Sequence, residues 1–60
     1  VIITNDNLRA LGFWQKQGFD LIRFYPDSMA TAREKKPEIP LIGENGIPLC
    51  HELELEMLLS

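Results

Sequence analysis

Asn7-Leu8-Arg9-Ala10-Leu11-Gly12-Phe13-Trp14-Gln15-Lys16-Gln17-Gly18-Phe19 is the stretch that decides how this chain folds. Ala10, Phe13, Trp14 and Gln17 recur at i, i+3, i+4 and i+7 and share one helical face, with Leu8, Leu11 and Gln15 on the face beside it. The spacing predicts a helix over Leu8–Gln17. Asn5, Asp6 and Asn7 are three candidate N-caps, because their side-chain oxygens can accept from the unpaired first-turn amides. Gly18 suits the left-handed position just past a helix end. Gly12 costs the helix about 1 kcal/mol against alanine, and a glycine at such a site often marks close approach by another backbone or a ligand.

Outward from this helix, Val1–Thr4 is β-branched throughout and reads as the end of a strand. Phe19–Tyr25 reads as a second strand ended by Pro26. Asp27 or Ser28 can cap a second helix, Met29–Lys36, whose basic end complements the helix dipole and which Pro37 and Pro40 stop. Residues 37–50 hold three prolines and the Glu44-Asn45-Gly46 turn, an ordered but irregular connection. His51–Leu59 alternates: Leu53, Leu55, Met57 and Leu59 face one way, Glu52, Glu54 and Glu56 the other. The fold class is therefore α/β with a mixed sheet, in the order β-α-β-(α)-β. The long strand–helix–strand step favours parallel neighbours, and the final strand could pair with either.

The chain opens at Val1 in what reads as the inside of a strand, so residues 1–60 are expected to be part of a larger domain. A net charge of −3 argues against nucleic acid, which needs a basic face. The Arg33, Lys35, Lys36 cluster is interrupted by Glu34 and Glu38 and reads as a solvated helix end. No apolar run approaches the roughly 20 residues that span a membrane. The lone Cys50 permits no internal disulfide and fits a reducing cytoplasm.

Cys50 and His51 are not a nucleophile–base pair, since adjacent strand residues point to opposite faces. No second histidine offers a metal site. Glu52, Glu54 and Glu56 stand about 6.6 Å apart along a strand, loose for one shared metal or proton. They read as a solvated or helix-covered face partly paired with Arg9, Lys16 or Arg23, with attraction of a cationic amine as the minor alternative.

The pattern N-x-x-A-L-x-F-[YW]-x-K-x-G-F over residues 7–19 resembles the C-terminal signature of the GNAT family of N-acetyltransferases. The resemblance implies the C-terminal part of the acyl-CoA N-acyltransferase fold. The strand ending at Thr4 would diverge from a neighbour to admit the pantetheine arm of acetyl-CoA, and the closing strand would insert between its two predecessors. It further implies that Asn7 hydrogen-bonds the arm, that Ala10 and Phe13 pack near the arm and sulfur, and that Lys16 lies near the adenosine phosphates. Position 14 is usually a tyrosine that protonates the departing thiolate. Trp14 donates a hydrogen bond but is no general acid. Either another group or water does that job, or the protein is a weak or non-acetylating member. The family's Gln/Arg-x-x-Gly-x-Gly/Ala phosphate loop does not occur in these residues.

The expected function is one wall of an acetyl-CoA site in an enzyme that acetylates a small-molecule or peptide amine by direct attack. Residues 36–41 and 43–48 resemble a subgroup's own connection, in the region where acceptor specificity varies. The alternative is a small interaction module with exposed strand edges. Either way a chain this short makes a marginal core, and an unpaired edge at Val1–Thr4 predicts self-association or pairing with the rest of the domain.

Overall fold

The computed structural model describes residues 1–59 as a small α+β unit, with a three-stranded antiparallel sheet and two helices. The elements are β1 (Ile2–Thr4), α1 (Leu8–Lys16), β2 (Asp20–Tyr25), α2 (Ser28–Lys35) and β3 (Glu52–Glu56). The strand order is β1-β3-β2. Every ladder is antiparallel, so the expected parallel neighbours are corrected: β1 and β2 run the same way but never touch, because β3 lies between them and pairs with both.

α1 forms where its spacing predicts. Asn7 is the cap that works, its Oδ1 accepting from the Ala10 amide at 3.0 Å. At the other end the Phe19 amide donates to Trp14 and the Gly18 amide to Gln15, a Schellman closure with Gly18 at φ +96°. α2 starts one residue earlier than expected and has no side-chain cap. Asp27 is instead left-handed at φ 56°, and the Met29 amide donates to the Cys50 carbonyl at 3.0 Å.

Register assigns the sheet's faces. Ile3, Leu53 and Phe24 form one cross-strand row, and Leu21 pairs with Leu55 beyond a bulge between Leu21 and Arg23. On the opposite face Thr4, Glu52 and Tyr25 form one row and Ile2, Glu54 and Arg23 the next. The buried apolar side chains are Ile3, Met29, Leu49 and Leu55, so α2 and the irregular connection feed the core. α1 contributes no fully buried residue, its Ala10, Leu11 and Trp14 being half-buried. β3 also ends at Glu56 rather than at Leu59, because Glu56 opposite Asp20 is the last paired position. Met57, Leu58 and Leu59 are exposed.

The unit is thin, 41 × 21 × 14 Å, with a radius of gyration of 12.4 Å, against about 10.4 Å for a compact chain of this length. Its surface of 4475 Å² exceeds the roughly 4000 Å² expected for the mass. Val1, Ile2, Leu8, Phe13, Leu21 and Phe24 are all about half exposed. This apolar surface is available for burial against something else. Among the described residues no helix is long and apolar enough to cross a membrane.

Candidate functional site

The Asn5-Asp6-Asn7 turn between β1 and α1 organises the site, and its three residues do three different jobs. Asn7 caps α1. Asn5 clamps the end of the connection: its Oδ1 accepts from the Cys50 and His51 amides, both at 3.0 Å, and its Nδ2 donates to the Pro48 carbonyl at 2.9 Å. Asp6 is buried and fixes a hairpin in the connection, its Oδ2 accepting from the Glu44 amide at 2.7 Å. The Thr4 hydroxyl holds the Asp6 carboxyl below its usual range, helped by the Glu44 amide and opposed by burial.

That hairpin is local chemistry. The single turn Glu44–Gly46 has φ 60° at Asn45 and 70° at Gly46, as a type I′ turn requires, and Asn-Gly is the pair that tolerates it. Ile42 bridges Pro48 across it. Gly43 is needed for a different reason: a Cβ there would lie 2.1 Å from the Asp6 Oδ2. At its other side the connection is tied to α2 by Arg33, which donates to the Ile39, Pro40 and Leu49 carbonyls. Arg33 is thus half-buried and structural, not the solvated helix end expected of its cluster.

Because the folded Asp6 loses its proton more readily than an unfolded aspartate at 3.8, its contribution to stability is complete above that pH. It is lost as pH falls through the lower folded value. Urea unfolding at about pH 5 and about pH 2 should therefore show a loss in acid that is smaller in Asp6→Asn. An equal loss in both proteins would assign the acid sensitivity elsewhere.

Between the first turn of α1 and this hairpin lies an open hollow of about 450 Å³, lined by Asn7, Leu8, Arg9, Glu44 and Asn45. Of the residues expected to hold the cofactor, Asn7 is at this hollow. Ala10 follows one turn on, half-buried. Phe13, Trp14 and Lys16 belong to the far half of α1, Lys16 lying about 14 Å along the axis from Asn7 at 1.5 Å per residue. Trp14 is half-buried, edge-on to Phe13 at 5.1 Å and to Phe19 at 4.9 Å between ring centroids. Phe13 is half exposed and Lys16 exposed. No atom lies within 4 Å of a Cβ built on Gly12, so nothing in the described residues makes the close approach that glycine allows.

On the polar face of the sheet, Tyr25 donates to Glu54, which raises the phenol's pKa, and Arg23 lies 3.6 Å from the same carboxylate. Arg23 is therefore the partner the glutamate row finds. His51 Nδ1 accepts from the Asp27 amide at 2.8 Å, so that nitrogen is committed to the backbone rather than to Cys50. Among the described residues no cluster of three or more His, Cys, Asp or Glu side chains could hold a metal ion.

Sequence comparison finds relatives of unstated function. The chain is 51% identical over 55 residues to the uncharacterized protein YxbD of Bacillus subtilis (strain 168), covering 92% of this chain and 35% of that protein. It is 43% identical over 53 residues to the uncharacterized protein YdhI of the same organism, covering 88% of this chain and 33% of that one. The chain thus spans about a third of the length of the curated relatives it matches. No protein-family model and no solved structure matches it.

Proposed function

We propose that this chain forms one wall of the acetyl-CoA site in an N-acetyltransferase that acetylates an amine. The observation that carries this reading is the position of β3, inserted antiparallel between β1 and β2. That is the arrangement implied by the resemblance of residues 7–19 to the GNAT signature, and nothing in those residues encodes it.

The side chains fit a thin, amide-rich cofactor arm. Asn7 Oδ1 is committed to the Ala10 amide, which leaves Nδ2 to donate to a carbonyl of the arm. Ala10, one turn on from Asn7, keeps that side of the helix low enough for an arm to lie along it. Phe13 offers an exposed ring as an apolar wall, and Lys16 brings a positive charge at the far end of α1. Acetyl-CoA supplies the activated thioester. An amine acylated by it would lose one proton and the departing thiolate would gain one by way of solvent, since the Trp14 indole is no general acid. The chain's contribution is positioning.

In the full-length protein, calorimetry should show acetyl-CoA binding that Asn7→Ala weakens about tenfold, the size of one lost hydrogen bond to a polar arm. Trp14→Tyr should leave that affinity within a few-fold and raise the rate of thiol release where protonation limits it. A full-length protein that does not bind acetyl-CoA sinks the proposal. It would favour a second reading, an interaction module, for which the half-exposed Val1, Ile2, Phe13 and Phe24 are the specific observation.

A further inference from the structure

The hollow between α1 and the hairpin carries opposite charges that do not meet. Arg9 and Glu44 both line it, yet among the described residues the arginine–carboxylate ion pair is Arg23 with Glu54. Arg9 and Glu44 are held on separate elements, and the separation is built. Arg9 rides on the capped first turn of α1. Glu44 is fixed by its own amide to the buried Asp6 Oδ2, and Asn45 Nδ2 donates to the Asp6 carbonyl at 3.4 Å. Gly43 leaves room for the Asp6 carboxylate where any side chain would collide with it.

We propose that this hollow binds a small zwitterion of the α-amino-acid type, its carboxylate on Arg9 and its ammonium on Glu44, with Asp6 as the positioning residue that holds Glu44 in place. The guanidinium fork suits a carboxylate. The start of a helix favours the same negative end through its dipole, so the ligand's polarity is set: carboxylate toward α1, ammonium toward the hairpin. A purely cationic amine would face Arg9, and a purely anionic ligand would face Glu44. Each leaves one charge of the hollow unmatched. About 450 Å³ is small-molecule size. The inference rests on the N-acetyltransferase reading only for calling this ligand the acceptor, whose amine reacts once deprotonated.

The test is calorimetry on the full-length protein with three matched sets of probes: free L-α-amino acids, their amides, which lack the carboxylate, and their N-acetyl forms, which lack the ammonium. The free forms should bind about tenfold more tightly than either derivative, one charge-assisted contact each way. Arg9→Gln should erase the preference for the free acid over its amide and leave the preference over the N-acetyl form. Glu44→Gln should do the reverse. Asp6→Asn, with folding checked by its circular dichroism, should weaken the ammonium preference more than the carboxylate preference. Equal binding of all three sets, or binding of none, overturns the proposal, as does a preference that survives both single substitutions. Acetyl-CoA titrated into the same samples separates the readings: zwitterion binding without acetyl-CoA binding refutes the acetyltransferase and keeps the hollow's ligand.

Discussion

Leu55→Ala is expected to destabilise the full-length protein by about 2–5 kcal/mol, the range for a fully buried leucine whose cavity cannot collapse. Leu55 is the one described side chain with no exposed surface. It sits on the central strand, opposite Leu21 on one side, while on the other Val1 exchanges both backbone hydrogen bonds with it, at 2.7 and 2.8 Å. With strands pinned on both flanks, the neighbours have little freedom to close the gap. Urea denaturation gives the number. A loss below about 1 kcal/mol would mean that the site relaxes and the core lies elsewhere.

Gly43→Ala has the next largest expected effect, near the upper end of the 1–3 kcal/mol that overpacking costs. The reason is not backbone freedom, since Gly43 at φ −97°, ψ −152° is extended and open to any residue. It is collision: the new methyl would meet Oδ2, Cγ and Cβ of Asp6 at 2.1, 2.6 and 3.0 Å. Asp6 is buried and cannot swing aside without abandoning the Glu44 amide. The two changes should therefore be strongly non-additive, with Gly43→Ala costing less in an Asp6→Ala background, where Oδ2 and Cγ are gone and only Cβ remains. Equal cost in both backgrounds would refute the collision.

These residues also mark where the sequence could be read and where it could not. α1, its cap and its glycine closure were legible because every interaction that defines them lies within residues 7–19. The Asn45-Gly46 turn was legible for the same reason. Asn5 and Asp6 were not. Their letters are those of N-caps, and their real partners are residues 44–51, some forty positions later. Arg33 looked solvated because its three carbonyl partners belong to an irregular segment with no periodicity to announce its path. Strand order was implied by the resemblance, which inserts the closing strand, and not by the local pattern. A strand–helix–strand step predicts adjacent parallel strands only when no later strand competes for the gap, and here β3 takes it. The alternation that runs on to Leu59 outlasts the sheet because pairing stops at Glu56. At the candidate site, Asn7 was expected on the resemblance. Glu44 and Arg9 were not singled out, because only the tertiary fold brings the hairpin to the start of α1.

The place of β3 has a consequence in time. β1 and β2 have no ladder to each other, so among the described residues each finds its strand partner only in β3. Chain emerging from a ribosome would hold α1 as a fluctuating local helix, and neither of the two described ladders could form until Glu52–Glu56 has been made. Both described ladders are then deferred to one non-local event, which makes their assembly slow relative to helix formation. The same geometry runs in reverse: an edge strand can fray and leave a sheet behind, but detaching β3 dissolves both ladders at once. Loss of Glu52–Glu56 pairing should therefore remove both described ladders together rather than one at a time.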